Sequence, residues 1–397
     1  MSFLRLCIFG SEIGPVKREI FVGGATVSAV RLGRALHDLG NVVFVLSSAP
    51  RGKPSKTYKF DWGVVVNKRI LGRYNSLPFK LLFFLTFPLG LVYLCCQNKI
   101  HVINSHSGNV LLSIIPSIIG KLLRIPVVHT QYCSIDSNQR GSLGHALARL
   151  CLKLPSRFVA ISHNVLHSLI EAGLPVERVD LIPPVIPSAR ARAHFGYGKL
   201  LRLKRDDLVV VFVGNLKKNK GIDVLLEAFH VLVSEGYRLR LVITTELAHN
   251  AFIERKQALL EYVVEHDLVN RVFWLGIIDD IFTLLCEADI VVVPFLDLEG
   301  ISDYPLVVLE ALRAGTPVIA SDVGGIHEIL RNKETGILIP PGDVEALCKV
   351  LKSVVANENL RCRLGNNVQS YPFHCYDPDI VGRKYQELFL QEVNKIG

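Results

Sequence analysis

The thirty residues from Glu299 to Glu328, EGISDYPLVVLEALRAGTPVIASDVGGIHE, leave this chain few choices of fold. A polar loop bearing Glu299, Ser302, Asp303 and Tyr304 runs into a helix that starts at Pro305-Leu306-Val307-Val308 and carries Glu310. Gly315 closes the helix and Pro317 opens a short apolar strand, Val318-Ile319-Ala320. A second polar loop, Ser321-Asp322-Val323-Gly324-Gly325, then feeds another helix. Helix, tight return and apolar strand make half of a βαβ unit, which requires a parallel sheet with helices on its faces. Two strand-end loops feeding helices side by side make a crevice rich in backbone N–H groups, which suits phosphate.

The same grammar recurs along the chain. Residues 3–10 read as a strand, the loop after it holds Gly14, Gly23 and Gly24, and Ala25–Leu39 reads as a helix closed by Gly40. Strands follow at 42–46, 100–104, 126–130, 158–161 and 179–182. The Gly23-Gly24 pair before a helix lets backbone approach a ligand, but its spacing is not GxGxxG, which argues against a dinucleotide site and an oxidoreductase. Pro183, Pro184 and Pro187 with the basic run after them mark a joint. A second α/β series starts at Leu208, with strands at 240–244, 272–275, 289–293 and 337–339 and helices starting near Lys217–Gly221 and at Asp343. The reading is α/β in two Rossmann-like domains: 1–187, a linker at 188–206, a second domain at 207–375, and a C-terminal helix at 376–397 packing back on the first. A cleft between two sets of strand ends is expected.

The formal charge of +9 is divided unevenly. Residues 1–200 hold 24 Lys and Arg against 8 Asp and Glu, a balance of +16; the remainder holds 21 against 28, a balance of −7. A basic half suits anionic lipid, a phosphorylated acceptor or nucleic acid. Nine scattered cysteines without a CxxC pair give neither a disulfide framework nor a zinc pattern, as expected for a reducing compartment. The N-terminal apolar run is too short for a signal peptide and reads as a buried strand. Residues 77–96 are the most hydrophobic stretch, interrupted by Pro88 and Gly90 and flanked by Lys80 and Lys99. Three readings stand: a buried helix, a helix in the membrane surface, and a span, the last disfavoured because spanning needs about 20 apolar residues. Lys53, Lys56, Lys59, Lys68, Arg69 and Arg73 nearby favour the interfacial one.

VFVGNLKKNKGIDVLLEAF, VVVPF, YPLVVLEALRAGTPVIASDVGGIHEIL and TGILIPPGDVEAL, in this order, resemble the donor domain of glycosyltransferase family 4. GGATVSAVRLGRALHDLG, INSHSG and VAISHNVLHSLIEAG look like its N-terminal landmarks. The resemblance implies a GT-B fold and transfer of a sugar from a nucleotide sugar with retention of configuration. It implies that Lys220 reaches the donor diphosphate beside Gly214 and Asn215, that Glu310 binds the ribose hydroxyls, that N–H groups near Leu306 and Val307 hold phosphate oxygens, and that Gly276 borders the base. Gly23 and Gly24 correspond to the family's first glycine-rich loop.

The sequence departs from that pattern in places. Asn215 stands where the family often has Arg. Ser302 stands where a sugar-contacting Glu is usual, with Asp303 and Glu299 as nearby acids. His129, with Tyr132 and His106 close by, is the candidate for the family's first-domain histidine. No covalent nucleophile, metal or other cofactor is implied; the nucleotide sugar is a co-substrate. The expected acceptor is a lipid-linked saccharide or polysaccharide precursor at the cytoplasmic face of the membrane, bound peripherally through anionic lipid, with no role for nucleic acid. A GT-B nucleotide-sugar 2-epimerase and a non-catalytic, glycosyltransferase-like binding subunit are the rival readings.

Overall fold

The computed structural model describes residues 3–10, 23–48, 56–68, 77–135, 142–187, 206–245, 252–278 and 280–396. Gly14, Lys53, Arg69, Arg73 and nearly all of the 188–206 linker lie outside them. The chain divides into two compact units: Met1–Pro187 with Glu299–Asp303 and His374–Gly397, and Ser188–Leu298 with Tyr304–Phe373.

In the first unit β1 (Arg5–Gly10), α1 (Gly24–Asp38) and β2 (Val42–Ser48) are followed by a hairpin of β3 (Lys56–Phe60) and β4 (Gly63–Lys68). Then come α2 (Leu77–Asn98), β5 (Val102–Ser107), α3 (Ile114–Leu123), β6 (Val127–Gln131), α4 (Ser142–Cys151), β7 (Arg157–Ala160), α5 (His163–Glu171) and β8 (Val179–Leu181). The strands lie in the order β3-β4-β2-β1-β5-β6-β7-β8, parallel except for the β3–β4 pair. Consecutive apolar residues, as in Leu6-Cys7-Ile8-Phe9, fit a sheet buried on both faces. On one face α1 sets Ala29, Val30 and Leu36 against Leu6, Ile8 and Val43. On the other, Leu91, Leu94 and Cys95 of α2 and Ile115 and Ile119 of α3 pack on Cys7, Phe9, Ile103 and Val127. The 77–96 run is thus part of one helix with Pro88 inside it, whose Leu91, Leu94 and Cys95 are buried. Among the described residues no helix is long and apolar enough to cross a membrane.

The second unit holds β9 (Leu208–Val213), α6 (Ile222–Ser234), β10 (Leu239–Thr244), α7 (Ile253–Glu265), β11 (Val272–Leu275), α8 (Ile281–Cys286) and β12 (Ile290–Val293). After them come α9 (Leu306–Ala314), β13 (Val318–Ser321), the single turn α10 (Ile326–Ile329), β14 (Gly336–Ile339), α11 (Val344–Ala356) and α12 (Glu358–Asn366). Its sheet is wholly parallel in the order β11-β10-β9-β12-β13-β14. Leu225 and Phe229 of α6 and Leu347 and Leu351 of α11 cover Val210, Phe212 and Ile243. The chain ends in α13 (Pro378–Asn394), which groups with the first unit. Gly382 there lets it approach α1: a Cβ would stand 3.1 Å from Leu39 and 3.3 Å from Ala35.

Candidate nucleotide site and buried histidine network

In the second sheet strand order reverses between β9 and β12, and ligands of open parallel sheets bind beyond the strand carboxyl ends at such a point. After β9 the chain makes a tight turn in which Gly214 N–H donates to Thr244 O (3.1 Å) and Lys217 N–H donates to the Asn215 side chain (3.2 Å). Lys218–Lys220 form one 3-10 turn, and Gly221 follows at φ 67° before α6 begins. The helix therefore starts two residues after the lysine. A Cβ on Gly221 would fall 1.7 Å from the Pro294 carbonyl, so only glycine lets this turn settle on the end of β12. Leu296 N–H donates to Asn219 O (2.9 Å), and Asn219 Nδ2 donates to Asp297 Oδ1 (2.9 Å), stitching the β9 and β12 loops together.

That packing lays the Lys220 ammonium 3.9 Å over the centre of the Phe295 ring. Burial pushes its pKa down to about 7, and the charge of Lys217 adds to the effect. Among the described residues it forms no ion pair with a carboxylate. A buried ammonium of this kind is poised for an anion. The loop after β12 leads into α9, whose N-cap is Pro305 and lacks a side-chain cap, so the N–H groups of Leu306 and Val307 point off the helix end. Glu310, buried at 8% exposure, lies three residues beyond Val307 on the same helix face. Tyr304 Oη donates to Glu328 Oε2 (2.6 Å), tying the start of α9 to α10. Gly214, Asn215, Lys220, Gly276, Leu306, Val307 and Glu310 thus all stand at the carboxyl side of one sheet.

Two hydroxyls at strand ends were not among the candidate site residues. Thr245 Oγ1, just past β10, and Ser321 Oγ, at the end of β13, are buried without a hydrogen-bond partner among the described residues. Their position at strand ends was the available sign.

In the first sheet order reverses between β1 and β5. Gly23, at φ 97°, and Gly24 begin α1 there. At the ends of β5 and β6 the polar side chains form a closed network. His106 Nε2 pairs with Asn104 Oδ1 (2.6 Å) and Nδ1 with Tyr132 Oη (2.9 Å). His129 Nδ1 pairs with Ser105 Oγ (2.6 Å) and Nε2 with Gln131 Oε1 (2.9 Å). Asn104 Nδ2 donates to Thr130 Oγ1 (3.1 Å), which meets Tyr385 Oη of α13 (3.1 Å). Burial pushes His106 down to about 3, with His129 beside it adding, and burial pushes His129 down to about 4 against the opposing Gln131 bond.

Two candidates are engaged in buried hydrogen bonds. His129 has no exposed surface and both ring nitrogens are engaged, so it braces the β5–β6 strand ends. Asp303 is 2% exposed and groups with the first unit: its Oδ2 accepts from Ser162 Oγ (2.6 Å), its Oδ1 from Asn164 Nδ2 (2.7 Å), and its N–H donates to Tyr132 O (2.8 Å). Its carboxylate clasps the start of α5. Cys133 Sγ–H donates to Ile301 O (3.1 Å) in the same clasp. Ser302 is thereby set beside α1, its Cβ 3.9 Å from where a Gly24 Cβ would stand.

Comparison with known proteins matches residues 22–190 to the model of Glycosyltransferase Family 4 and residues 199–371 to that of Glycosyl transferases group 1. The chain is 26% identical over 192 residues to the capsular polysaccharide biosynthesis glycosyltransferase CapM of Staphylococcus aureus, covering 48% of each chain. It is 21% identical over 381 residues to the N-acetyl-alpha-D-glucosaminyl L-malate synthase of Bacillus anthracis, covering 93% of this chain and 94% of that one. It spans about half the length, or less, of the first curated relatives it matches, and nearly all of the synthase. Among solved structures, a sucrose-phosphate synthase from Thermosynechococcus elongatus superposes with TM-score 0.80 at 20% identity, covering 98% of each chain. Anabaena HepE in complex with UDP and glucose gives 0.77 at 16% identity, covering 98% of this chain and 99% of that one. At such identities the two structures speak for the GT-B fold alone, and the two family matches, one to each half of the chain, carry the assignment: this protein is a glycosyltransferase of the family 4 type.

Proposed function

We propose that the protein is a retaining transferase that moves a sugar from a UDP- or GDP-sugar to a lipid-linked saccharide or polysaccharide precursor at the cytoplasmic face of the membrane. The observation that carries the nucleotide part is the Lys220 ammonium, held over Phe295 at the switch point of the second sheet with no carboxylate partner among the described residues. Beside it the loop after β12 leads into the uncapped start of α9. A diphosphate brings the counter-charge that burial has withheld, and its leaving-group charge grows as the sugar becomes oxocarbenium-like. Lys220 and the α9 N–H groups stabilise that charge, and Glu310 accepts from the ribose hydroxyls. The UDP and glucose in the HepE complex and the capsular role in the name of CapM agree with this reading. The +16 balance of the first half supports an acceptor at an anionic surface.

Titration with UDP and GDP tests it. Because bound phosphate restores the charge on Lys220, binding takes up a proton above pH 7. Affinity then falls as pH rises through about 7 toward 9, by up to about tenfold per unit. Lys220→Ala removes a charge-assisted bond of about 1.5–3 kcal/mol, roughly a 10- to 100-fold loss of affinity, and flattens the pH slope. A wild type that binds neither nucleotide refutes the reading. One observation favours a second reading, a binding subunit without turnover: Ser302 is no acid and Asp303 is locked in its clasp. Nucleotide binding with no transfer or hydrolysis of any bound donor would select it.

A further inference from the structure

The inner sides of α2 and α3 share one core on the same face of the first sheet, so their outer sides look the same way. Those outer sides expose Leu89 (74%), Tyr93 (66%), Ile118 (49%) and Leu122 (76%). Leu89 and Tyr93 are four residues apart on α2, and Ile118 and Leu122 four apart on α3, so each pair forms a stripe along its helix. Single exposed apolar residues are ordinary, whereas paired stripes on neighbouring helices mark an interaction surface. Its charge has one sign. Lys99, Lys121 and Arg124 are exposed at the ends of the two helices, and the sequence from Trp62 to Ile135 contains no Asp or Glu.

We propose that the outer face of α2 and α3 docks on the surface of an anionic phospholipid bilayer. Leu89, Ile118 and Leu122 enter the boundary between headgroups and acyl chains, Tyr93 sits at headgroup level, and Lys99, Lys121 and Arg124 meet the lipid phosphates. The lysine stems lie along the apolar surface while their ammonium groups stay in the polar layer. The helices lie on the membrane and do not cross it, with Pro88 inside α2 and its inner side committed to the core. An acid-free basic border with apolar stripes inside it fits lipid better than a second copy of this chain, whose identical basic border would repel it. The inference rests on the membrane part of the proposed function and uses no residue of the nucleotide site.

Cosedimentation with vesicles tests it. The protein should bind vesicles containing phosphatidylglycerol and bind pure phosphatidylcholine vesicles at least tenfold more weakly. Leu89→Ser with Leu122→Ser, and separately Lys121→Glu with Arg124→Glu, should each weaken binding at least tenfold. Val264→Ser, at an exposed apolar site of the second unit, should change nothing. Circular dichroism and UDP affinity report that the variants are folded. Failure to bind phosphatidylglycerol vesicles, equal binding to both vesicles, or unchanged binding by the paired variants overturns the proposal. So does a dimer in gel filtration that Leu89→Ser with Leu122→Ser dissolves while vesicle binding persists. Vesicle binding without nucleotide binding sinks the transferase reading and leaves this one standing; nucleotide binding without vesicle binding does the reverse.

Discussion

Lowering the pH from 7.5 to 5.0 should cost this protein stability through two buried imidazoles. His106 and His129 are held neutral by where their partners point. Asn104 Oδ1 can only accept, so His106 Nε2 carries the proton and Nδ1 accepts from Tyr132; the Gln131 amide, whose nitrogen donates to Gly108 O and Cys133 O (both 2.8 Å), fixes His129 in the same way. A second proton on either ring must turn the Ser105 or Tyr132 hydroxyl around and places a charge in a site buried from solvent. Burial accordingly pushes the two pKa values down to about 3 and about 4, against about 6.5 in the unfolded chain. The unfolded state then binds more protons at every pH below about 6.5, so stability is full above about 7 and declines until the folded values are reached. At pH 5.0 the unfolded rings lie about 1.5 units below their pKa, worth about 2 kcal/mol each and about 4 kcal/mol together. That is a large share of a typical 5–15 kcal/mol. Urea unfolding at the two pH values measures the loss, and carboxylates titrating over the same interval are separated by His129→Gln, which should shrink the difference by about 2 kcal/mol. A wild-type loss under about 1 kcal/mol, or a His129→Gln protein that keeps the whole difference, refutes the reasoning.

Gly221→Ala must move either the Lys220 turn or Pro294 and adds a left-handed penalty, so a loss of about 3 kcal/mol and weaker UDP binding are expected. Gly236→Ala, at φ 90° with nothing within 4 Å, should cost only about 1 kcal/mol; equal losses in thermal denaturation would show that the Pro294 contact is unimportant. Asp303→Asn can no longer accept from both the Ser162 hydroxyl and the Asn164 amide and should cost about 2 kcal/mol. Adding Asn164→Asp reverses the pair and should recover most of the loss in urea melts, whereas no recovery would remove the clasp as the cause.

The sheets were readable because both are parallel and buried on two faces, so their strands are plain apolar runs such as Val209–Phe212 and Ile290–Val293. The β3–β4 hairpin was not read. KTYKF is an edge strand with exposed Lys56, Thr57 and Lys59, and what holds it is a ladder of stacked rings, Tyr58 on Phe60 and Phe60 on Trp62. Spacing of two between those aromatics was the sign. Residues 77–96 stayed ambiguous because a helix with one face in a core and apolar residues on the other has no amphipathic period to read.

The candidate nucleotide residues of the second unit were legible for a reason that fails for the candidates of the first. Lys220, Gly221 and the start of α9 act through local geometry: a turn, a positive φ, a helix end. Each leaves its mark within a few residues of sequence. His129 and Asp303 have the right residue types at strand and helix ends, and nothing local tells a catalytic group from a braced one. What decides is the partners. Ser105 is brought to His129 by strand register, Ser162 and Asn164 reach Asp303 across about 140 residues, and Tyr385 reaches Thr130 across 255. A polar group whose valences are met by distant residues is held in place by them, and the sequence around it does not show this. The same test turned on Lys220 gives the opposite answer: burial withdraws water, a ring lies beneath it, and among the described residues no carboxylate arrives to pair with it. The unmet charge distinguishes that lysine from a braced residue, and the pH slope of nucleotide binding is the measurement on which the distinction depends.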